Sequence, residues 1–198
     1  MLNLHAPFRR ARPEDARAIA EFVDMAGKGI PSVLWAEEAV GGETPLDVGA
    51  RLAGRAGYAL CYENAVVAEH DGRISALLLG CVDNTEEIDL ADAPALVHPL
   101  VRLKRHAPGQ WHLHALAVAP EQRRQGLGTR LLRIVDALAA EEGVTETSLT
   151  VAEGNHGARQ LYEREGYRVI ASEPMAPHPR VTLSGRWLLM ARPVVPQG

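Results

Sequence analysis

A chain of 198 residues, 46% of them hydrophobic and without an internal repeat, is long enough to bury one substantial core and is most simply read as one domain over 1–198. Its 21 basic and 25 acidic residues leave a formal net charge of −4, which argues against nucleic acid as a general partner. Cys61 and Cys81 are too few for a disulfide framework and no Cys/His spacing suits zinc, so no metal is expected; with no N-terminal apolar leader and no apolar run of about 18 residues, the sequence predicts a cytoplasmic protein with no membrane partner.

Taken in chain order, the predicted elements alternate between strand and helix. Residues 8–11 read as a short first strand, and Pro13 opens an amphipathic helix carried by Ala16, Ile19, Ala20, Phe22 and Val23 and ended by Gly27 and Gly29. Residues 31–57 form a second helical region broken at Gly41, Gly42 and Pro45, with 46–55 its clearer part. Residues 65–69, the Asp71-Gly72 turn and residues 73–82 give a hairpin of two strands. From 83 to 109 the chain carries Asp89, Asp92, Pro94, His98, Pro99 and Pro108, too many breakers for one strand or one long helix. Within it Arg102, Lys104, Arg105 and His106 read as a solvated basic loop.

Residues 111–118 form an apolar fourth strand that runs through Pro120 into Arg123-Arg124-Gln125-Gly126-Leu127-Gly128-Thr129. Gly126 and Gly128 lack a Cβ, so the backbone there is free to take conformations closed to other residues and to lie close against a ligand. The following helix presents its first N–H groups and the positive end of its dipole, an arrangement that suits an anion such as a pyrophosphate, with Arg123 and Arg124 adding charge at the rim. A P-loop would end Gly-Lys-Ser/Thr and a dinucleotide fingerprint would read G-x-G-x-x-G; neither is present. The helix carries Leu127, Leu131, Ile134, Val135 and Leu138 on one face and stops at Gly143. A fifth strand at 147–151, a helix at 156–165 and a late hairpin at 167–171 and 187–191, joined by the stretch 174–179 with its prolines, complete the order.

The loop Arg123-Arg124-Gln125-Gly126-Leu127-Gly128 resembles R/Q-x-x-G-x-G/A, the acyl-CoA loop of the GCN5-related N-acetyltransferase (GNAT) superfamily. About 30 residues on, Asn155, Ala158, Leu161, Tyr162, Gly166 and Tyr167 match the same family's N-x-x-A-x-x-L-Y-x-x-x-G-F/Y without a gap. The resemblance covers most of the chain. It implies an α/β fold with a mixed, mostly antiparallel sheet splayed between strands four and five and flanked by helices. Residues 8–110 would then be an acceptor-side half and 111–192 an acyl-CoA-binding half. It also implies acetyl-CoA as co-substrate, the backbone of Leu116, Ala117 and Val118 pairing with the pantetheine arm, the loop from Arg123 to Thr129 holding the pyrophosphate, and Asn155 contacting the cofactor near the arm. Homodimers are frequent in the family, and the C-terminal hairpin is a plausible contact.

Acetyl transfer to an amine sets two chemical demands. A primary amine with a pKa near ~10.4 arrives mostly protonated and needs a base. The departing thiolate needs a proton donor, for which Tyr162, two helical turns after Asn155, is the candidate. For the base, strand alternation puts His112 and His114 on one face, and an ordinary histidine pKa near ~6.5 leaves much of either neutral. The string His112 to Val118 is similar to the corresponding strand of arylalkylamine (serotonin) N-acetyltransferases, where a histidine pair relays a proton. His112 also falls where histone-type members carry a glutamate base. The glutamate that ribosomal-protein N-terminal acetyltransferases place five residues before the Asn is Thr150 here, and nearby Glu153 reads as a solvated loop residue.

Trp35, Glu37, Glu38 and Tyr58, and less directly Asp89 and Asp92, are the residues available to hold an ammonium group. A small-molecule amine is the expected acceptor. A protein lysine or N-terminus, and a non-catalytic acyl-CoA-binding regulator, remain the alternatives.

Overall fold

The computed structural model describes residues 2, 4–82 and 89–195. Among the described residues seven strands follow the sheet order β1-β2-β3-β4-β5-β7-β6, and six α-helices accompany them. The chain divides into two compact units, Met1–Gly80 with His114–Leu132, and Cys81–Leu113 with Arg133–Gly198.

In the first unit β1 (Phe8–Arg10) pairs antiparallel with β2 (Ala65–His70), which pairs antiparallel with β3 (Arg73–Val82). The β2–β3 turn has Asp71 at φ 49° and Gly72 at φ 72°, the left-handed pair whose twist matches a two-residue hairpin. Pro13–Asp15 form a 3-10 turn before α1 (Ala16–Ala26), and the buried Asp15 carboxylate accepts the Arg12 N–H and two bonds from the Arg9 guanidinium, at 2.7 and 3.0 Å. The second helical region resolves into α2 (Ile30–Glu38) and α3 (Pro45–Ala53), separated at the glycines and proline that the sequence marked. Thr44 and Asp47 cap α3 reciprocally, each side chain accepting the other's N–H. Ile19, Phe22, Val23, Trp35, Val48 and Leu52 from these helices pack with Val67, Leu77, Leu79, Ala115 and Ala117 from the strands as the core of this unit.

In the second unit the start of β4 (Trp111–Val118) pairs parallel with β5 (Glu146–Ala152) at Trp111↔Thr147, His112↔Ser148 and Leu113↔Leu149. That recorded register ends at Leu113↔Leu149, whereas β5 stays paired along its whole length with β7 (Arg186–Pro193), which carries β6 (Arg168–Pro174) antiparallel on its other edge. Helix α4 (His98–Lys104) packs on β6 and β7. The stretch 83–109 holds neither one strand nor one long helix but the short α4, which puts Arg102 and Lys104 on a helix and corrects their reading as part of a solvated loop; positions 83–88 lie outside the described residues. Pro99 sits in the first turn of α4, where a missing N–H breaks no helical bond, and Val101 and Leu103 supply the buried face.

Helix α5 (Leu127–Glu141) begins in the first unit and ends in the second with Gly143 at φ 71°. The Val144 N–H reaches the Ala139 carbonyl and the Gly143 N–H the Ala140 carbonyl, which satisfies carbonyls that the helix leaves open. Helix α6 (His156–Arg164) completes the set. Among the described residues no helix is long and apolar enough to cross a membrane, and no group of three or more His, Cys, Asp or Glu is placed to hold a metal ion.

Candidate active site

The loop after β4 is a compact turn of defined geometry. Pro120–Gln122 form a 3-10 turn, Arg124 takes φ 62° and Gly126 φ 79°, and α5 starts at Leu127. The sequence assigned the unusual backbone to Gly126 and Gly128. Gly126 takes it; Gly128 is already helical in the first turn of α5, and the second left-handed residue is Arg124. The Arg130 N–H is bonded to the Gly126 carbonyl at 3.0 Å, so the N–H groups of Leu127, Gly128 and Thr129 precede the helical ladder and are the donors an anion would meet. A Cβ built on Gly126 would meet nothing within 4 Å, so it is the backbone angle, rather than crowding, that calls for glycine there. The loop therefore fits the pyrophosphate of acetyl-CoA. Arg130 stacks on the Phe8 ring at 4.6 Å, which adds a positive charge to the same turn.

Arg123 lies against the protein, not free at the rim. Its Nε donates to the Val118 carbonyl at 3.0 Å and its guanidinium reaches the Met25 sulfur at 3.7 Å. The Ala119 N–H donates to Ser75 of β3 at 2.8 Å; since extended backbone alternates its hydrogen-bonding edge, Val118 one residue earlier turns its polar groups away from β3. Along β4, Ala115 and Ala117 are buried in the core while His114, Leu116 and Val118 are half-buried on the opposite face. The edge away from β3 turns the backbone of Leu116 and the Val118 N–H toward the place expected for the pantetheine arm; Ala117 faces β3 by the same alternation, and the Val118 carbonyl is taken by Arg123 Nε.

In the second unit the N-x-x-A-x-x-L-Y-x-x-x-G-F/Y match marks out a helix from cap to cap. Asn155 is the N-cap of α6, its side chain accepting the Ala158 N–H at 3.4 Å. Gly166 at φ 90° ends the helix, with the Gly166 N–H on the Glu163 carbonyl and the Tyr167 N–H on the Tyr162 carbonyl. The rings of Tyr162 and Tyr167 then meet edge to face, centroids 6.0 Å apart. Tyr167 is held in turn by Thr147, whose hydroxyl donates to the phenol oxygen at 3.0 Å, and by Arg192, whose guanidinium lies 4.8 Å over its ring and forms a bidentate pair with Asp136.

Tyr162 is buried, and desolvation, with a smaller push from Tyr167, holds its hydroxyl well above the ordinary tyrosine pKa. It stays protonated in the neutral range, as any tyrosine does, and burial makes it a weaker acid than an exposed one.

His112, 2% exposed, places its Nδ1 2.9 Å from Ser148 Oγ, its partner across the β4–β5 register. Ser148 was missed at the sequence level, because the alternation of β5 identifies it only once the register is known. His114, on the same face of β4, is more accessible. Thr150, two residues beyond Ser148, keeps a buried hydroxyl without a hydrogen-bond partner among the described residues.

The first unit thus gathers His114, Leu116, Ala117, Val118 and Arg123–Thr129 along one strand and its loop; the second holds His112, Asn155 and Tyr162. Of the residues suggested for the acceptor, Trp35 is core, packed on Gly49, whereas Glu37, Glu38, Asp89 and Asp92 are exposed. Tyr58 is half-buried, its pKa raised by desolvation and by the Glu38 carboxylate.

A model of the acetyltransferase (GNAT) family matches residues 43–167, more than half of the chain. The chain belongs to the GNAT acetyltransferase family. As a GNAT protein it is an N-acetyltransferase, and acetyl-CoA is the co-substrate of that chemistry. Solved structures agree on the fold. One described only as an acetyltransferase superposes with a TM-score of 0.68 at 24% identity, covering 95% of this chain and 99% of that one. An agmatine N-acetyltransferase variant in its apo form gives 0.67 at 18% identity over 94% and 98%. The yncA protein of Salmonella typhimurium, solved with its cofactor acetyl-CoA, gives 0.62 at 17% identity over 98% and 97%.

Proposed function

We propose that this GNAT enzyme is a single catalytic domain that transfers the acetyl group of acetyl-CoA to the primary amine of a small molecule by direct attack. In the loop that Arg123 opens, the N–H groups of Leu127, Gly128 and Thr129 hold the pyrophosphate end of the co-substrate, with the backbone of Leu116, Ala117 and Val118 along the pantetheine arm and Asn155 near it. His114, the more accessible of the pair, takes the amine proton and returns it to water after transfer, and His112, two residues earlier on the same strand with its Nδ1 2.9 Å from Ser148 Oγ, is its relay partner. This is the proton route suggested by the local likeness of β4 to arylalkylamine N-acetyltransferases. Tyr162 donates a hydrogen bond to the departing sulfur; a proton it passes to the thiolate is regained from water as the thiol leaves, since burial disfavours a lasting tyrosinate.

The observation that carries this reading is the turn after β4, where Arg124 at φ 62° and Gly126 at φ 79° lead into α5 with the Leu127, Gly128 and Thr129 N–H groups ahead of the helical ladder, as an acyl-CoA pyrophosphate needs. Cytoplasmic location and a homodimer are parts of the same proposal.

The test is release of free thiol from acetyl-CoA against agmatine, polyamines, arylalkylamines, amino acids and lysine peptides. Turnover with one class of small amine is expected. Turnover with lysine peptides alone would replace the acceptor, and acetyl-CoA binding without turnover on any amine would overturn the enzymatic part.

A further inference from the structure

Arg123 begins the anion loop, but its side chain is already committed to protein groups, the Val118 carbonyl at 3.0 Å and the Met25 sulfur at 3.7 Å. Three pieces of chain therefore meet at one guanidinium: the end of β4, the last turns of α1 and the first residue of the loop. The next residue, Arg124, has a left-handed backbone at φ 62°, which side chains with a Cβ adopt only when the surroundings impose it. Further ties within the loop are local, such as the Arg123 N–H to Pro120 at 3.3 Å and the Gln125 side chain to the Glu121 carbonyl at 3.4 Å. Arg123 ties the start of the loop to the end of β4 and to α1, while the Ala119 N–H to Ser75 and Arg130 on the Phe8 ring hold the segments before and after it.

We propose that Arg123 is a positioning residue, not an anion ligand. Its Nε pins the loop to the end of β4, and this fixes Arg124 and Gly126 so that the Leu127, Gly128 and Thr129 N–H groups stay convergent. The inference rests on the acyl-CoA reading of the loop. It makes the donor at the Nε position the property that matters, and the positive charge incidental.

Side-chain length separates the two roles. In Gln the amide nitrogen falls the same number of bonds from Cα as Arg Nε, so Arg123→Gln keeps the donor and removes the charge. Lys has a methylene at that point, so Arg123→Lys keeps the charge and removes the donor there. Two readouts on the purified protein decide the matter: calorimetric binding of acetyl-CoA, and hydrogen exchange of backbone amides 124–129 without ligand. The pin predicts that Arg123→Gln stays within about threefold of the parent in both, while Arg123→Lys binds about tenfold more weakly and exchanges faster across the loop. Loss of affinity in Arg123→Gln, or parental behaviour in Arg123→Lys, would overturn it. If the parent does not bind acetyl-CoA, the acyl-CoA reading fails by itself, and the exchange data still judge the pin.

Discussion

Arg192 and Asp136 bind one another through two hydrogen bonds of 2.7 and 3.0 Å, both nearly removed from solvent, and Asp136 also accepts the Val195 N–H. Removing one member leaves a buried charge without a counterion, which costs about 3–5 kcal/mol. Arg192→Met should lower the stability read from urea unfolding by that order, and a change below about 1 kcal/mol would mean that water reaches Asp136. Asp15 makes the opposite kind of contribution. The hydrogen bonds from Arg9 hold its carboxyl below the ordinary 3.8, so its stabilisation is present above that pH and is lost as pH falls through the depressed value. Asp15→Asn should therefore flatten the acid limb of the stability curve below about pH 4; an unchanged limb would detach Asp15 from it. For His112 and His114, joint replacement by Ala should flatten the rate profile below about pH 8, and a profile of unchanged shape would put the base elsewhere. Single residues were the least legible level of the sequence. The residue types at 112, 114 and 162 suggested proton chemistry, but Ser148 beside His112 and the contacts of the Arg123 side chain depend on register and loop conformation, which no local pattern encodes.

At the level of elements the sequence was legible wherever one local rule decided. The Asp71-Gly72 turn, the stop of α5 at Gly143 and the start of α6 at Asn155 each follow from a single residue's backbone or capping chemistry. Helix α4 was not legible, because its prolines read as breakers until Pro99 is seen to occupy a first turn. Two glycines give element-scale predictions. Gly166 stands at φ 90° with its nearest outside atom, Arg192 Cδ, at 3.7 Å from a built Cβ, so Gly166→Ala would be strained by backbone angle more than by crowding and should cost about 1 kcal/mol or somewhat more. At Gly49 the backbone is ordinary helix, but a Cβ would stand 2.6 Å from the Trp35 ring. Gly49→Ala should cost about 1–3 kcal/mol through overpacking of α2 against α3, and a thermal midpoint unchanged from the parent would show that Trp35 moves aside freely.

For the whole molecule, the sheet order and the brief β4–β5 register match what the two motifs implied, because both motifs sit at strand-to-helix or helix-to-strand joints that topology must respect. Whole-molecule stability should also carry the mark of the buried tyrosines. Burial raises the pKa of Tyr162 and Tyr167 above the unfolded value of 10.0, so the folded chain keeps protons that the unfolded chain gives up. Stability should accordingly decline as pH rises beyond about 10, and Tyr162→Phe should soften that decline in alkaline urea titrations.

The central claim, that a buried and protonated Tyr162 serves the leaving thiolate, is tested most directly by comparing Tyr162→Phe with the parent in steady-state turnover and in calorimetric binding of acetyl-CoA. The account predicts a fall in kcat of about a hundredfold or more with Kd within about threefold, since the ring and its contact with Tyr167 remain. Unchanged turnover, or a loss of rate explained by an equal loss of acetyl-CoA affinity, would contradict it.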